Sequence, residues 1–232
     1  TRGMSSAASD VYKRQRFRPV TKVNEEMYLN SLEIFLNERH VDKKDTIVIF
    51  EITMIDLAND GEIDEKDFMD RAKLLGSLGE TVLITNFKEY YRLVEYFSQY
   101  TKKKIGLTMG VNNLIRVFDP KYYTHLSGGI MEAFGKLFFK NMKIYLYPVL
   151  NDEDEIINSE NLKVHPRMKE LYKFLKFNGK VVDLNKYNLK SLKIYSHEVL
   201  VKIKENSVGW ESLLPKAVAS KIKKFNFFGY KK

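Results

Sequence analysis

The sequence predicts an α/β fold: a mostly parallel sheet with helices on both faces, followed by a basic helical C-terminal extension. Three observations predict it. Short β-branched apolar runs alternate with amphipathic segments of helical period up to about residue 150. The links between those runs are long enough to hold crossover helices, as parallel pairing requires. Beyond Leu150 the strand-like runs give way to helical segments rich in lysine.

Each element has a local reason. Asn24-Glu25-Glu26 supplies an N-cap and first-turn acids for a helix whose apolar positions are Met27, Leu29, Leu32, Phe35 and Leu36. T-I-V-I-F-E-I-T-M, residues 46–54, reads as a buried strand. Asp64 caps a helix carried by Phe68, Ala72, Leu75 and Leu78, and Gly79 ends it. T-V-L-I-T-N, residues 81–86, is a second buried strand. The helix after it places Tyr90, Leu93, Val94 and Phe97 on one face, and K-I-G-L-T-M-G is the third strand. A helical turn at 114–118 and the break Asp119-Pro120 lead to a helix over 129–140, then to the strand M-K-I-Y-L-Y-P-V. Pro166 opens a helix through Met168, Leu171, Leu175 and Phe177, and further helices are expected over 198–205 and 215–224. The expected division is an α/β domain at 16–150 and a helical basic extension at 151–232 packed on it.

Composition narrows the function classes. The 232 residues contain no cysteine, which excludes a disulfide framework, a thiolate metal site and a cysteine nucleophile. No run of about 18 apolar residues is present, so no membrane-spanning helix is expected, and a cytoplasmic location is. The net charge of +9 is uneven: residues 163–232 hold 17 Lys/Arg against 5 Asp/Glu. Arginine is nearly absent from that stretch, whereas base-edge readout favours arginine, so nucleic acid is not the expected partner. A phosphorylated small molecule is. The first fifteen residues, T-R-G-M-S-S-A-A-S-D-V-Y-K-R-Q, resemble translated adapter sequence of the kind found at the ends of metagenomic reads. The native chain is therefore expected to start near Arg16, as part of a longer protein.

Ligands of open parallel sheets sit at the carboxyl ends of the strands, which directs attention to Glu51, Thr85-Asn86, 108–110 and Pro148. The loop 122–129 adds Tyr123, His125, Ser127, Gly128 and Gly129. Ser127 is placed to cap the following helix, while the two glycines let an anion approach its first N–H groups. A Gly-Gly at a helix start is more commonly plain turn chemistry. The segment 56–67 imitates an EF-hand loop but has Ala58 and Asp67 at two ligand positions, so a polar loop is expected there. The histidines at 40, 125, 165 and 197 lack zinc-site spacing, and no metal site is expected.

Two resemblances extend this reading. The strand ends I-V-I-F-E-I-T-M and V-L-I-T-N resemble the layout of the haloacid-dehalogenase-type phosphatases, whose first strand ends in an aspartate nucleophile and whose second ends in Thr or Ser. Thr85 matches the second position. Glu51 stands at the nucleophile position, one methylene longer, and Thr53 replaces the second acid, which implies a relative without that chemistry. Separately, F-R-P-V-T-K, Y-Y-T-H-L-S-G-G-I-M-E-A-F-G-K-L-F and W-E-S-L-L-P-K-A-V-A-S-K-I-K with the closing F-G-Y are similar to the C-terminal half of a bacterial family. That family is labelled nicotinate-nucleotide adenylyltransferase and sometimes TonB-dependent receptor. The first label implies nucleotidyl transfer to a pyridine mononucleotide in NAD biosynthesis, using ATP with Mg²⁺. Ser127, Gly128 and Gly129 would then hold phosphate, Tyr123 and His125 would orient the ligand, and Arg92 or Arg116 would supply charge. The superfamily's H-x-G-H and I-S-x-T-x-x-R motifs do not occur in this chain, so no catalytic residue is carried over. The competing expectation is a noncatalytic α/β module that binds a phosphorylated ligand or a protein partner.

Overall fold

A computed structural model describes residues 17–54, 58–59, 62–63, 65–79, 81–139 and 141–231. The adapter-like residues 1–15, the helix cap expected at Asp64 and part of the EF-hand-like loop, including Asp56, Asp60 and Gly61, lie outside the described residues.

The chain begins with helix α1 (Lys22–Leu36), followed by strands β1 (Ile49–Thr53), β2 (Ala58–Asn59) and β3 (Glu62–Ile63), helix α2 (Glu65–Ser77) and strand β4 (Thr81–Thr85). Next come α3 (Tyr90–Tyr100), β5 (Ile105–Gly110), α4 (Val111–Val117), α5 (Gly129–Leu137) and β6 (Met142–Tyr147). A small antiparallel pair, β7 (Val149–Leu150) and β8 (Ile156–Ile157), precedes α6 (Lys169–Phe177) and β9 (Val181–Asp183). The chain closes with α7 (Ser196–Lys204) and α8 (Lys216–Phe225). Strands β1 and β4 pair in parallel, from Ile49 opposite Thr81 to Thr53 opposite Thr85. Strands β5, β6 and β9 form a second parallel sheet with β6 in the middle. The fold class is α/β, as the alternation predicts.

Among the described residues two compact units result: a middle unit, Phe87–Asn185, and a terminal unit that joins residues 17–86 to residues 186–231. This partition differs from the expected one at residue 150. Residues 151–185 stay with the middle unit because β9 continues its sheet and Tyr172 and Leu175 enter its core. Strand β9 was not legible in advance, since three residues are too few to show a period.

The middle unit packs Leu114, Phe118, Phe134, Ile144 and Leu146 into one interior. The ring of Phe118 meets Phe134 at 4.9 Å and Tyr172 at 5.2 Å, both edge to face. Burial of each such side chain stabilises by about 1.5–3 kcal/mol. On α3 the expected Leu93 and Val94 are buried, Tyr90 packs part-buried against the core, and Tyr91 joins them as the buried tyrosine.

The terminal unit is built from three stretches distant in sequence. Phe17 and Val20 precede α1, Leu74 and Leu75 come from α2, and Trp210, Ile222, Phe227 and Phe228 come from the C-terminal part. Helix α1 starts at Thr21 as N-cap, with the Thr21 N–H donating to Asn24 Oδ1 at 2.8 Å. Asn24 is therefore the reciprocal partner of a capping box and not the cap itself. The strands expected to be buried are half open here: Ile49 is 38% exposed and Ile84 47%.

Helix α2 also carries charge inward. Asp67, Asp70 and Arg71 are buried. Asp67 accepts from Arg18 and, at 2.7 Å, from Arg71 Nη2. Asp70 Oδ2 accepts the backbone N–H of Phe228 at 2.8 Å. Removing one partner of a buried pair strands the other charge at a cost of about 3–5 kcal/mol. Asp67→Ala is expected to lower the thermal midpoint by on the order of 10 °C in a calorimetric scan. Lys216→Ala, on the exposed side of α8, is expected to change stability by less than about 0.5 kcal/mol.

Candidate functional site

The strand-end residues lie in the terminal unit. Glu51 and Thr85 share one face of the β1–β4 pair, and Thr85 Oγ1 donates to Glu51 Oε1 at 2.6 Å. Thr53 stands opposite Thr85, and Asn86 follows β4 as an exposed residue. The Glu51 carboxylate is thus held by a neighbouring hydroxyl.

The glycine-loop residues lie in the middle unit. After α4, Asp119 caps a short 3₁₀ turn, Pro120–Tyr123. Tyr123 is buried and its hydroxyl donates to the Val117 carbonyl at 2.8 Å, so it anchors the loop. His125 Nε2 lies 3.4 Å from the Tyr91 hydroxyl and 3.8 Å from the Glu89 carboxylate. Arg92 Nε donates to the same buried Glu89 at 2.9 Å, which balances the arginine charge expected to face a ligand. Burial first, and then the Glu89 charge, push the Tyr91 hydroxyl pKa up against the opposing Arg92, so Tyr91 stays protonated at neutral pH.

Helix α5 explains the paired glycines. Its N-cap is Gly128, and no side chain provides the cap, so Ser127 does not have the capping role expected of it. Ser127 is exposed. The Gly128 N–H donates to Glu132 Oε2 at 3.1 Å, and the Gly129 N–H donates to the Leu126 carbonyl at 3.0 Å. A carboxylate from the same helix thus occupies the place foreseen for a bound anion. Gly129 has φ +56°, a region that side chains other than glycine's rarely adopt. A Cβ at Gly128 would come within 2.8 Å of Glu132 Cβ. Both glycines are therefore required by backbone geometry and by close packing of the cap. The Gly128 N–H, then Lys136 and His125, hold the Glu132 carboxyl below its ordinary value.

A pocket of about 450 Å³ opens beside this loop, within the middle unit. Arg116 from the last turn of α4 lines it, with Asp119 and Lys121 from the following turn and Lys163 and His165 from the segment before α6. Ile115, Tyr122 and Val164 supply apolar wall. The Nη1 of Arg116 is buried and has no hydrogen-bond partner among the described residues. Lys121 Nζ pairs with Asp119 Oδ2 at 2.8 Å, and the Lys121 N–H donates to Oδ1 at 3.1 Å. His165 Nδ1 accepts the Arg167 N–H at 3.3 Å, so the neutral ring carries its proton on Nε2 as a donor. None of the strand-end positions 108–110 or Pro148 lines the pocket. Of its polar residues, Arg116 and His165 were in view from the sequence. Asp119 was in view only as a chain break before Pro120, and Lys121 and Lys163 were not, because a lone lysine near a proline carries no further local signal.

Among the described residues, no cluster of three or more His, Cys, Asp or Glu is placed to hold a metal ion. None of their helices is long and apolar enough to cross a membrane. No family model matches the chain, and no curated protein matches it.

Because its pKa is depressed, the Glu132 cap stabilises above the ordinary glutamate range and is lost as pH falls through its lowered value. In an NMR titration the Gly128 amide is expected to shift with a midpoint below that of exposed glutamates. Glu132→Gln should abolish that transition. Gly129→Ala is expected to cost about 1–2 kcal/mol in urea unfolding through its backbone alone, since nothing lies within 4 Å of the added Cβ.

Proposed function

We propose that the chain is a noncatalytic α/β module that binds a phosphorylated small molecule in the basic pocket of its middle unit. The observation that supports this reading is the gathering of Arg116, Lys163 and His165 on one pocket. Charge-assisted hydrogen bonds from guanidinium and ammonium groups to phosphate are the strong ones. Lys163 and the Nε2–H of His165 add donors on a second segment, so a phosphate would be held from two sides. The pocket volume falls in the range that small-molecule ligands fill, roughly 300–1,000 Å³.

Nucleotidyl transfer rests on the sequence resemblance alone. Four of the groups it drew on are engaged within the fold: Tyr123 with Val117, Arg92 with Glu89, Gly128 with Glu132 and Gly129 with Leu126.

The test is a thermal-shift and calorimetric titration of the whole chain with inorganic phosphate, pyrophosphate and a panel of phosphorylated metabolites. A ligand at 100 times its dissociation constant is expected to add about 2.7 kcal/mol of stability. Arg116→Gln and Lys163→Gln should each weaken binding about tenfold or more, and Ser127→Ala should leave it unchanged. Absence of binding by every phosphorylated compound rejects the reading. Binding that survives both pocket variants but is lost in Ser127→Ala returns the site to the glycine loop.

A further inference from the structure

The pocket is much roomier than a phosphate group needs, and its polar lining is of two kinds. We infer that its ligand is the phosphate ester of a polyhydroxylated body, a sugar or polyol phosphate, and that Asp119 reads the hydroxyls. This inference rests on the phosphate-binding reading above. Arg116, Lys163 and His165 offer donors for the phosphate. Asp119 offers the opposite chemistry: a carboxylate that would repel phosphate oxygens and so must face another part of the ligand.

Asp119 has capacity for that role. Its two contacts with Lys121 use two of about four acceptor positions on the carboxylate. The remaining positions call for hydrogen-bond donors. An ammonium group on the ligand would meet Lys121, Arg116 and Lys163 around the same space, so uncharged hydroxyls are the better match. Lys121 stays charged, its pKa raised by its bonds to Asp119 and then to Tyr122, and can donate to a hydroxyl oxygen beside the carboxylate. The pair thus presents an acceptor and a donor side by side with no net charge.

The apolar wall suits a saturated body better than a flat one. Tyr122 would be the natural surface for an aromatic ring, but the Lys121 ammonium lies over its ring at 4.9 Å and covers one face. Ile115 and Val164 can pack against C–H groups of a sugar without stacking.

The experiment compares, by calorimetry on the whole chain at one pH, glucose 6-phosphate, hexyl phosphate, inorganic phosphate and glucose. Glucose 6-phosphate is expected to bind at least about tenfold more tightly than hexyl phosphate, a gap that two hydrogen bonds to a charged group account for. In Asp119→Ser, which keeps a capping oxygen for the 120–123 turn but is short and neutral, the gap should fall below about threefold while inorganic phosphate binds at least as well. Equal affinity for the sugar and alkyl phosphates in the wild-type chain overturns this inference and leaves phosphate binding standing. Failure of all three phosphates overturns both. The wild-type comparison decides the matter even where Asp119→Ser loses its fold.

Discussion

Two buried carboxylates on one helix set the constraint on which the terminal unit depends. Asp67 and Asp70 face the interior from α2, and each is tolerable there only with a partner. Asp67 takes Arg18 from the start of the chain and Arg71 from its own helix, while Asp70 takes the Phe228 amide from near the end. Both ends of the described chain are thereby drawn to the same helix, and the apolar residues beside them complete a core that neither half could fill. Phe17 packs edge-on to Phe50 at 5.4 Å, and Trp210 packs against Tyr230 at 5.7 Å. The polar contacts select which segments meet; the area buried around them supplies most of the stabilisation.

The same logic distinguishes closed polar sites from an open one. Wherever the chain presents groups suited to an anion, it tends to provide its own carboxylate. Glu132 takes the helix N–H of Gly128, Glu89 takes Arg92, and Glu51 takes the Thr85 hydroxyl. These arrangements are locally complete and gain little from a ligand. The pocket before α6 is different because its cations outnumber its single carboxylate, Asp119. Charge imbalance in a partly enclosed space is what gives an external anion something to gain.

Much of the fold was legible before the structure because helix and strand periods are local properties. The crossover from β1 through α2 to β4 and the run from β5 to β6 follow from apolar spacing and turn residues over a dozen positions. Where the reading missed, the signal was short or relational. Thr21 replaced Asn24 as the cap because a reciprocal pair can be read from either end, and β9 was hidden by its three-residue length. The exposure of Ile49 and Ile84 depended on which elements pack over each face of their sheet, which the strands themselves do not encode.

The candidate sites show the same divide. By itself the sequence determined the α/β class, the order of most elements, the absence of cysteine chemistry and the presence of a helix start at the two glycines, since each depends on residues within one or two turns of one another. Only the tertiary structure decided that Glu132 fills that helix start, that residues 186–231 complete the unit begun by residues 17–86, and that Arg116 and Lys121 share a pocket with Lys163 and His165. Those facts pair groups up to about 200 positions apart, or turn one rotamer toward one amide. They are settled by the burial and hydrogen-bond demands of the whole fold, which no local pattern records.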